Sequence, residues 1–205
     1  MNFKLIKEKK QLIWNNFLIS IGKTLFGSLD KIIIAPLLGF TVLGNYSLGY
    51  QFFSIINIIP GVAIKYLIAQ DATGIKNKKL KKAMVIASIG MAIVGATIAP
   101  SILSYLFPKF LDAENIIQII SWAVIPITIQ STYYMPKLWA QERSRLIFYH
   151  TIIMMICQIV LILTLGTWYE SIGIAIAFVI SNSIGCVFIV LIDKMTDNEN
   201  GVKNQ

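Results

Sequence analysis

The sequence is poor in charge and in the residues from which most catalytic sites are built. Asp, Glu, Lys and Arg make up 14% of its 205 residues, and His150 is the single histidine. No HExxH motif and no pair of carboxylates with metal-ligand spacing occurs in it. A membrane enzyme such as a phosphotransferase or an intramembrane protease is therefore poorly supported, and we expect no catalytic residue, no metal and no cofactor.

Cysteine is equally scarce, and the excess of positive charge has an unusual distribution. Cys157 and Cys186 both fall inside apolar runs, where they are typical of small buried hydrophobic residues. The net charge is +8, but the lysines lie in short segments between apolar runs and not along one solvated face. We therefore expect no nucleic-acid partner, and orientation in a membrane explains the basic residues better.

Long apolar runs dominate what remains. Hydrophobic residues make up 56% of the chain and its mean hydropathy is +0.71. Runs of about 20 residues are long enough to cross a bilayer as helices. We predict that residues 14–192 form an all-α, multi-pass helix bundle in the cell membrane. Residues 1–13 and 193–205 are predicted to be cytoplasmic. Its six spans are Trp14 to Leu38, Tyr46 to Ile68, Ala83 to Leu106, Ile116 to Met135, Leu146 to Trp168 and Ile172 to Ile192.

The basic residues predict the topology, because short cytoplasmic loops retain Lys and Arg. The N-terminal segment, the second and fourth loops and the C-terminal tail are basic, whereas the opposite loops contain only Lys109. This asymmetry predicts that both ends of the chain are cytoplasmic. The cluster from Lys76 to Lys82 sets orientation in this interpretation, and binding of anionic membrane lipid is the alternative.

Polar residues in the first two spans form stripes. In each span they occupy a sector of about 120° on a helical wheel. The stripes are Asn16, Ser20, Lys23, Thr24, Gly27, Asp30 and Lys31 in the first span, and Tyr50, Gln51, Ser54, Asn57, Gly61 and Lys65 in the second. Since charge is costly in hydrocarbon, we expect both stripes to line one shared, water-accessible cavity.

Three of the charged residues in these stripes also have a structural interpretation, whereas Lys23 is the hardest to explain in that way. Lys65 and Lys31 lie near enough to span ends to extend towards the headgroups, and Asp30 could be half of an interhelical ion pair. In the sixth span, small residues recur at every fourth position, which is typical of close helix packing. They are Gly173, Ala177, Ser181 and Gly185.

One segment carries a family pattern. The stretch LDKIIIAPLLGFTVLGNY, Leu29 to Tyr46, places a membrane Asp and a basic residue before Leu-Gly and Leu-Gly-x-Tyr turns. It resembles the polysaccharide flippases of the multidrug, oligosaccharidyl-lipid and polysaccharide exporter superfamily. The similarity continues through FPKFLDAENIIQIISWAVIP, LWAQERSR and WYESIGIAIAFVIS, and it resembles the C-terminal six helices of that family.

The resemblance implies a function in polysaccharide biosynthesis. Such proteins move a polyprenyl-pyrophosphate-linked oligosaccharide from the inner to the outer leaflet. Lys23, Lys31 and Lys65 would then attract the pyrophosphate, Gln51 and Asn57 would contact sugar, and Asp30 would couple transport to H⁺ or Na⁺.

Two alternatives stay open. Family members have twelve to fourteen helices in two bundles, so this chain would need a second six-helix half or a second copy, or it is a fragment or subunit that does not transport by itself. A cation-coupled drug exporter of the same superfamily is the other alternative, although its cavity is expected to carry more carboxylates and fewer lysines.

Overall fold

The computed structural model describes residues 10–73, 77–110 and 112–203, and these residues are helical apart from short turns. The α-helices are α1 (Lys10–Ile56), α2 (Ile58–Ala72), α3 (Lys78–Leu106), α4 (Asp112–Ile120), α5 (Val124–Ile129), α6 (Met135–Ala140), α7 (Ser144–Leu161) and α8 (Thr167–Lys203). A 3-10 turn, Ser121–Ala123, joins α4 to α5, and π-helical segments Gln130–Tyr134 and Ile162–Gly166 follow α5 and α7. The prediction of an all-α chain is confirmed for the described residues.

Four helical stretches among the described residues are long and apolar enough to cross a membrane. They are Asp30–Ile56, Lys78–Leu106, Asp112–Ala140 and Ser144–Asp193. The last has 50 residues, about twice the length that a single crossing needs. Many large apolar side chains of these stretches are exposed, for example Ile32, Ile86 and Val187, as is typical of surfaces that face lipid.

Helix α1 folds back on itself at Gly39. This residue has φ 87° and ψ 169°, which is not helical. Tyr46 donates a hydrogen bond to Asp30 over 2.6 Å, although sixteen residues of straight helix would separate them by about 24 Å. Residues 40–56 therefore run back alongside the first part of the helix.

A second reversal lies at Glu170, near the start of α8. Its φ of 48° and ψ of −125° interrupt the helical backbone. Ser181 and Gln158 are hydrogen-bonded across this reversal, which only antiparallel packing of α8 on α7 permits. Both reversals lie between predicted spans: Gly39 follows the span that ends at Leu38, and Glu170 lies between the spans that end at Trp168 and begin at Ile172.

The other turns are shorter than the sequence suggested. Between Asp71 and Lys82, α2 continues to Ala72 and α3 already begins at Lys78. Between Pro136 and Arg145, α6 continues to Ala140, so that only residues 141–143 are non-helical. Several residues between the predicted spans, for example Lys78, Pro136 and Lys137, are therefore helical.

The hairpin of α7 and α8 is packed through small residues on α8. Gly173 lies directly against the backbone of Leu165 and Gly166, and Gly185 lies against Met154. Ala177 and Ser181 between them are completely buried. These four positions are the row of small residues that the sequence singled out, and they face α7 and the π-helical segment after it.

The returning half of α1 packs against α4 and α8. Gly49 allows close approach of Ile116 on α4. Phe178 of α8 makes edge-to-face contacts with Tyr50 and Phe53, at centroid distances of 5.7 and 5.2 Å. These aromatic contacts lie in the main hydrophobic core and hold the Gly39 reversal against the rest of the bundle.

We expect Gly173→Ala to destabilise the protein. A Cβ at this position would overlap the carbonyl group of Leu165, and overpacking of this kind costs about 1–3 kcal/mol of unfolding free energy. Gly90→Ala is the matched control, because a Cβ there meets no atom within 4 Å. Unfolding in mixed micelles by titration with denaturing detergent measures both. Equal stability of the two variants would contradict the close contact at Gly173.

Candidate functional site

Asp30 is a carboxylate in an apolar environment, and its side chain is 5% exposed. The Gly39 reversal brings Tyr46 to it, and the phenol donates to Oδ2 over 2.6 Å. The backbone N–H of Lys31 donates to Oδ1 over 2.8 Å. Tyr46 is itself completely buried. Each carboxylate oxygen therefore has one hydrogen-bond donor from the protein.

Lys31 contacts the returning half of the same hairpin. Its Nζ lies 5.6 Å from the ring centroid of Tyr50, within the range of a cation–π interaction. Tyr50 also packs on Tyr46, with 6.0 Å between the ring centroids. We name Asp30, Lys31, Tyr46 and Tyr50 the hairpin cluster. It contains one acidic and one basic side chain, held by two tyrosines one helical turn apart.

The hairpin cluster has unused capacity for binding. A carboxylate offers about four lone-pair positions, and the two described hydrogen bonds to Asp30 leave some for a proton or a cation. A contact with a ring face uses none of the three N–H donors of the Lys31 ammonium. The arrangement can therefore accept a positive species at Asp30 and an anionic group at Lys31.

The remaining predicted ligands do not join this cluster. Gln51 and Lys65 are exposed and lie on the outward face of α1 and α2. Lys65 is fifteen residues beyond Tyr50, about 22 Å along a helix. Of the described members of the two polar stripes, Asp30, Lys31 and Tyr50 come together in the hairpin cluster, whereas Gln51 and Lys65 point away from the bundle.

Lys23 lies within α1, but its side chain is outside the described part of the structure. Most described side chains between residues 10 and 28 are exposed, among them Trp14, Phe17, Ser20 and Ile21. This part of α1 is thus much less covered by the bundle than the part that contains Asp30.

Asn57 lies at the junction of α1 and α2. Its N–H bonds to Phe53 and its carbonyl accepts from Gly61, but its side-chain Oδ1 is buried without a hydrogen-bond partner. Pro60 has no N–H to give to the preceding turn, which explains the interruption here. This oxygen is therefore a buried acceptor beside a break in the helix.

Polar contacts between helices also occur outside the first two predicted spans. Gln130 donates to the backbone carbonyl of Asn182 over 2.9 Å, and Ser181 donates to Gln158. Asp193 forms an ion pair with Lys137 at 2.7 Å. These contacts attach α8 to the π-helical segment after α5, to α7 and to α6.

His150, the single histidine of the sequence, is 4% exposed. Its Nε2 lies 3.1 Å from the carbonyl oxygen of Gly185, and its ring stacks on Phe188. The histidine is therefore part of the α7–α8 packing.

Tyr46 and Tyr50 are the site residues that sequence reasoning missed. Tyr50 was counted in a polar stripe and Tyr46 in a turn motif, but neither was linked to Asp30. The sequence contained one signal for this pairing, the number of residues that separates Asp30 and Tyr46 from Gly39. Asp30 precedes this glycine by nine residues and Tyr46 follows it by seven, so a reversal at Gly39 places them at similar depth.

Among the described residues, no three His, Cys, Asp or Glu side chains are grouped so that they could hold a metal ion. Two surface grooves have mainly apolar linings and are separate from the hairpin cluster. One includes Ile32, Pro36 and Leu163, and the other lies between α3, α4 and α8.

Comparison of the chain with protein-family models, with curated proteins and with solved structures finds no match. The geometry of the site is thus the basis for assigning a function.

We expect Tyr46→Phe to lower the free energy of unfolding by about 1–3 kcal/mol, because it removes a hydrogen bond from a buried carboxyl group. Tyr66→Phe is the matched control. It removes a phenol that accepts a hydrogen bond from Gln70 at an exposed position, and such changes stay within about 0.5 kcal/mol. The stability of both variants is measured in micelles, with and without Asp30→Leu. An equal cost of Tyr46→Phe in both backgrounds would show that the two residues are not coupled.

Proposed function

We propose that the chain forms six transmembrane helices in the cell membrane, with both ends in the cytoplasm. The reversals at Gly39 and Glu170 divide α1 and the α7–α8 region into antiparallel segments, which supports six crossings instead of four. Both reversals and the turn around Lys109 would then lie outside. The basic connections between α2 and α3 and between α6 and α7 would lie inside, as the distribution of Lys and Arg favours.

We further propose that this bundle is one half of a flippase for lipid-linked oligosaccharides used in polysaccharide biosynthesis. The observation that carries the proposal is the hairpin cluster, which places an acidic and a basic side chain side by side within apolar helices. Ionisable residues at membrane depth are costly and are kept mainly where they serve transport.

The chemistry of the substrate matches this cluster. A polyprenyl tail can stay in hydrocarbon while the pyrophosphate and sugars need a polar path. In the proposal Lys31 attracts the pyrophosphate, with Lys23 and Lys65 along the path, and Gln51 and Asn57 contact sugar. Asp30 takes up H⁺ or Na⁺ and couples it to movement of the Gly39 hairpin.

The exposed polar face supports a partner half. Gln51, Ser54 and Lys65 are exposed on one side of α1 and α2, among large apolar residues. The exposed Gln51 amide would lack hydrogen-bond partners in hydrocarbon, and a lysine there is costly unless it reaches the headgroups. A second six-helix half or a second copy facing this side would enclose a polar path between the two bundles.

Export of organic cations is the second candidate. Tyr46, Tyr50, Phe53 and Phe178 form an aromatic group beside the Asp30 carboxyl group. Aromatic faces with a nearby carboxylate suit a desolvated organic cation. The neighbouring Lys31 ammonium opposes such a ligand, so the anionic substrate remains the first choice.

The topology predicts a specific labelling pattern. In a protein with Cys157 and Cys186 replaced by Ser, cysteines at Phe40 and Trp168 should react with an impermeant thiol reagent from outside. Cysteines at Thr73 and Gln141 should react only after the membrane is opened, because these positions lie at the basic side. All four are exposed. Reaction of Phe40→Cys and Gln141→Cys from the same side would contradict the proposed crossings.

Transport itself is tested with Lys31→Gln. We expect export of lipid-linked oligosaccharide to fall about tenfold or more, since loss of one charged contact is worth about 1.5–3 kcal/mol. Lys109→Gln, at an exposed position outside the cluster, is the control. Accumulated precursor is measured in cells that depend on this protein, at matched expression.

Unchanged export by Lys31→Gln would remove the lysine from the mechanism. Organic-cation efflux that is lost in Asp30→Asn but kept in Lys31→Gln would favour the second candidate. Cysteines at positions 23, 31 and 51 that are sealed from aqueous reagents on both sides would contradict a polar path altogether.

A further inference from the structure

A surface groove of about 470 Å³ lies between α3, α4 and α8. Ala96, Ile119, Trp122, Ile176 and Ile180 line it, and Gln118 is the one lining side chain with an amide. The volume is within the range of about 300–1,000 Å³ found for ligand pockets. The hairpin cluster does not contribute to this groove, so its occupant is separate from the proposed transport path.

In the proposed six-crossing topology, on which this inference rests, the groove is at membrane depth. Gln118 and Trp122 follow the start of α4 by six and ten residues, and Ala96 precedes the end of α3 by ten. At 1.5 Å per residue, these positions lie about 9–15 Å from the turn between α3 and α4. Both helices belong to stretches long and apolar enough to span a membrane. The medium that meets the groove is then the hydrocarbon of one leaflet, near its headgroup side.

Gln118 requires a polar partner at this depth. Its side chain is exposed, and hydrocarbon does not accept hydrogen bonds from an amide. The ester carbonyls of a phospholipid are the acceptors at the boundary between headgroup and chain. A lipid with an ester at Gln118 would extend its chain further into the membrane, past Trp122 and Ile180.

We propose that this groove holds one acyl chain of a diacyl phospholipid, with the Gln118 amide donating to its ester carbonyl. The charges near the α3–α4 turn do not select an anionic headgroup, because exposed Lys109 and Asp112 have opposite signs and Glu114 accepts from Ser104. The lipid is recognised by the shape of the groove and by the Gln118 amide. This recognition does not depend on the proposed transport function.

The test uses the full chain in phosphatidylcholine vesicles that contain phosphatidylcholine with a photoactivatable diazirine on one acyl chain. Cross-linked peptides are quantified by mass spectrometry. We expect Trp122 and Ile180 to be labelled several-fold more than Ile86, an exposed apolar residue of α3 outside the groove. Unlabelled phosphatidylcholine in excess should reduce this difference.

Two variants make the result specific. Ala96→Phe fills the groove and should reduce labelling of Trp122 to the level of Ile86, whereas Ala87→Phe, the same change at an exposed position of α3, should not. Gln118→Leu keeps the groove but removes the amide, and should reduce labelling about threefold to tenfold, the equivalent of one hydrogen bond. It serves as the second variant if Ala96→Phe fails to fold.

Equal labelling of Trp122 and Ile86 in the unchanged protein would overturn the proposal. So would unchanged labelling in both Gln118→Leu and a folded Ala96→Phe. Displacement by polyprenyl phosphate at lower concentration than by phosphatidylcholine would overturn the assignment to an acyl chain. Protein-to-protein cross-links at Trp122 in place of lipid adducts would assign the groove to a second copy.

Discussion

A carboxyl group within apolar helices must obtain its hydrogen-bond donors from the protein, because hydrocarbon supplies none. For Asp30 these donors are the phenol of Tyr46 and the N–H of Lys31. The first of them is available only because the helix reverses at Gly39. The hydrogen bond, the reversal and the aromatic contacts of Tyr50 and Phe53 with Phe178 are therefore one arrangement. Loss of any part leaves a buried polar group without a partner.

The α7–α8 hairpin solves a related problem in a different way. Helices in lipid gain little from burying apolar side chains against each other, so close packing and polar contacts supply the attraction. Gly173 and Gly185 permit the close packing, and Ser181 with Gln158 supplies a polar contact between them. The ion pair between Lys137 of α6 and Asp193 attaches the C-terminal part of α8 to the bundle. Small residues and an amide thus stabilise the α7–α8 hairpin, whereas a buried carboxyl group and tyrosines stabilise the hairpin of α1.

Composition and run length were sufficient to predict an all-helical chain with helices of membrane-spanning length. Turn residues located both reversals to within a few residues. The backbone break at Glu170 could not be read from the residue itself, since glutamate has no preference for positive φ. A helical wheel ranks the residues of one helix by angle but does not say which angle faces a neighbour. This is why Gln51 and Lys65 were grouped with Asp30, although the packing of α1 and α2 turns them outward.

At Gly39, the chirality of the residue limits which amino acid can form the reversal, and the space for a side chain does not. A Cβ of ordinary chirality at this position would meet no atom within 4 Å, yet its φ of 87° is one that L-amino acids rarely adopt. The mirror image of its backbone angles falls in the broad extended region that most residues occupy freely. The backbone angles of Gly39 therefore suit a D-alanine placed here by chemical synthesis, whereas L-alanine, with the same atoms, would be strained.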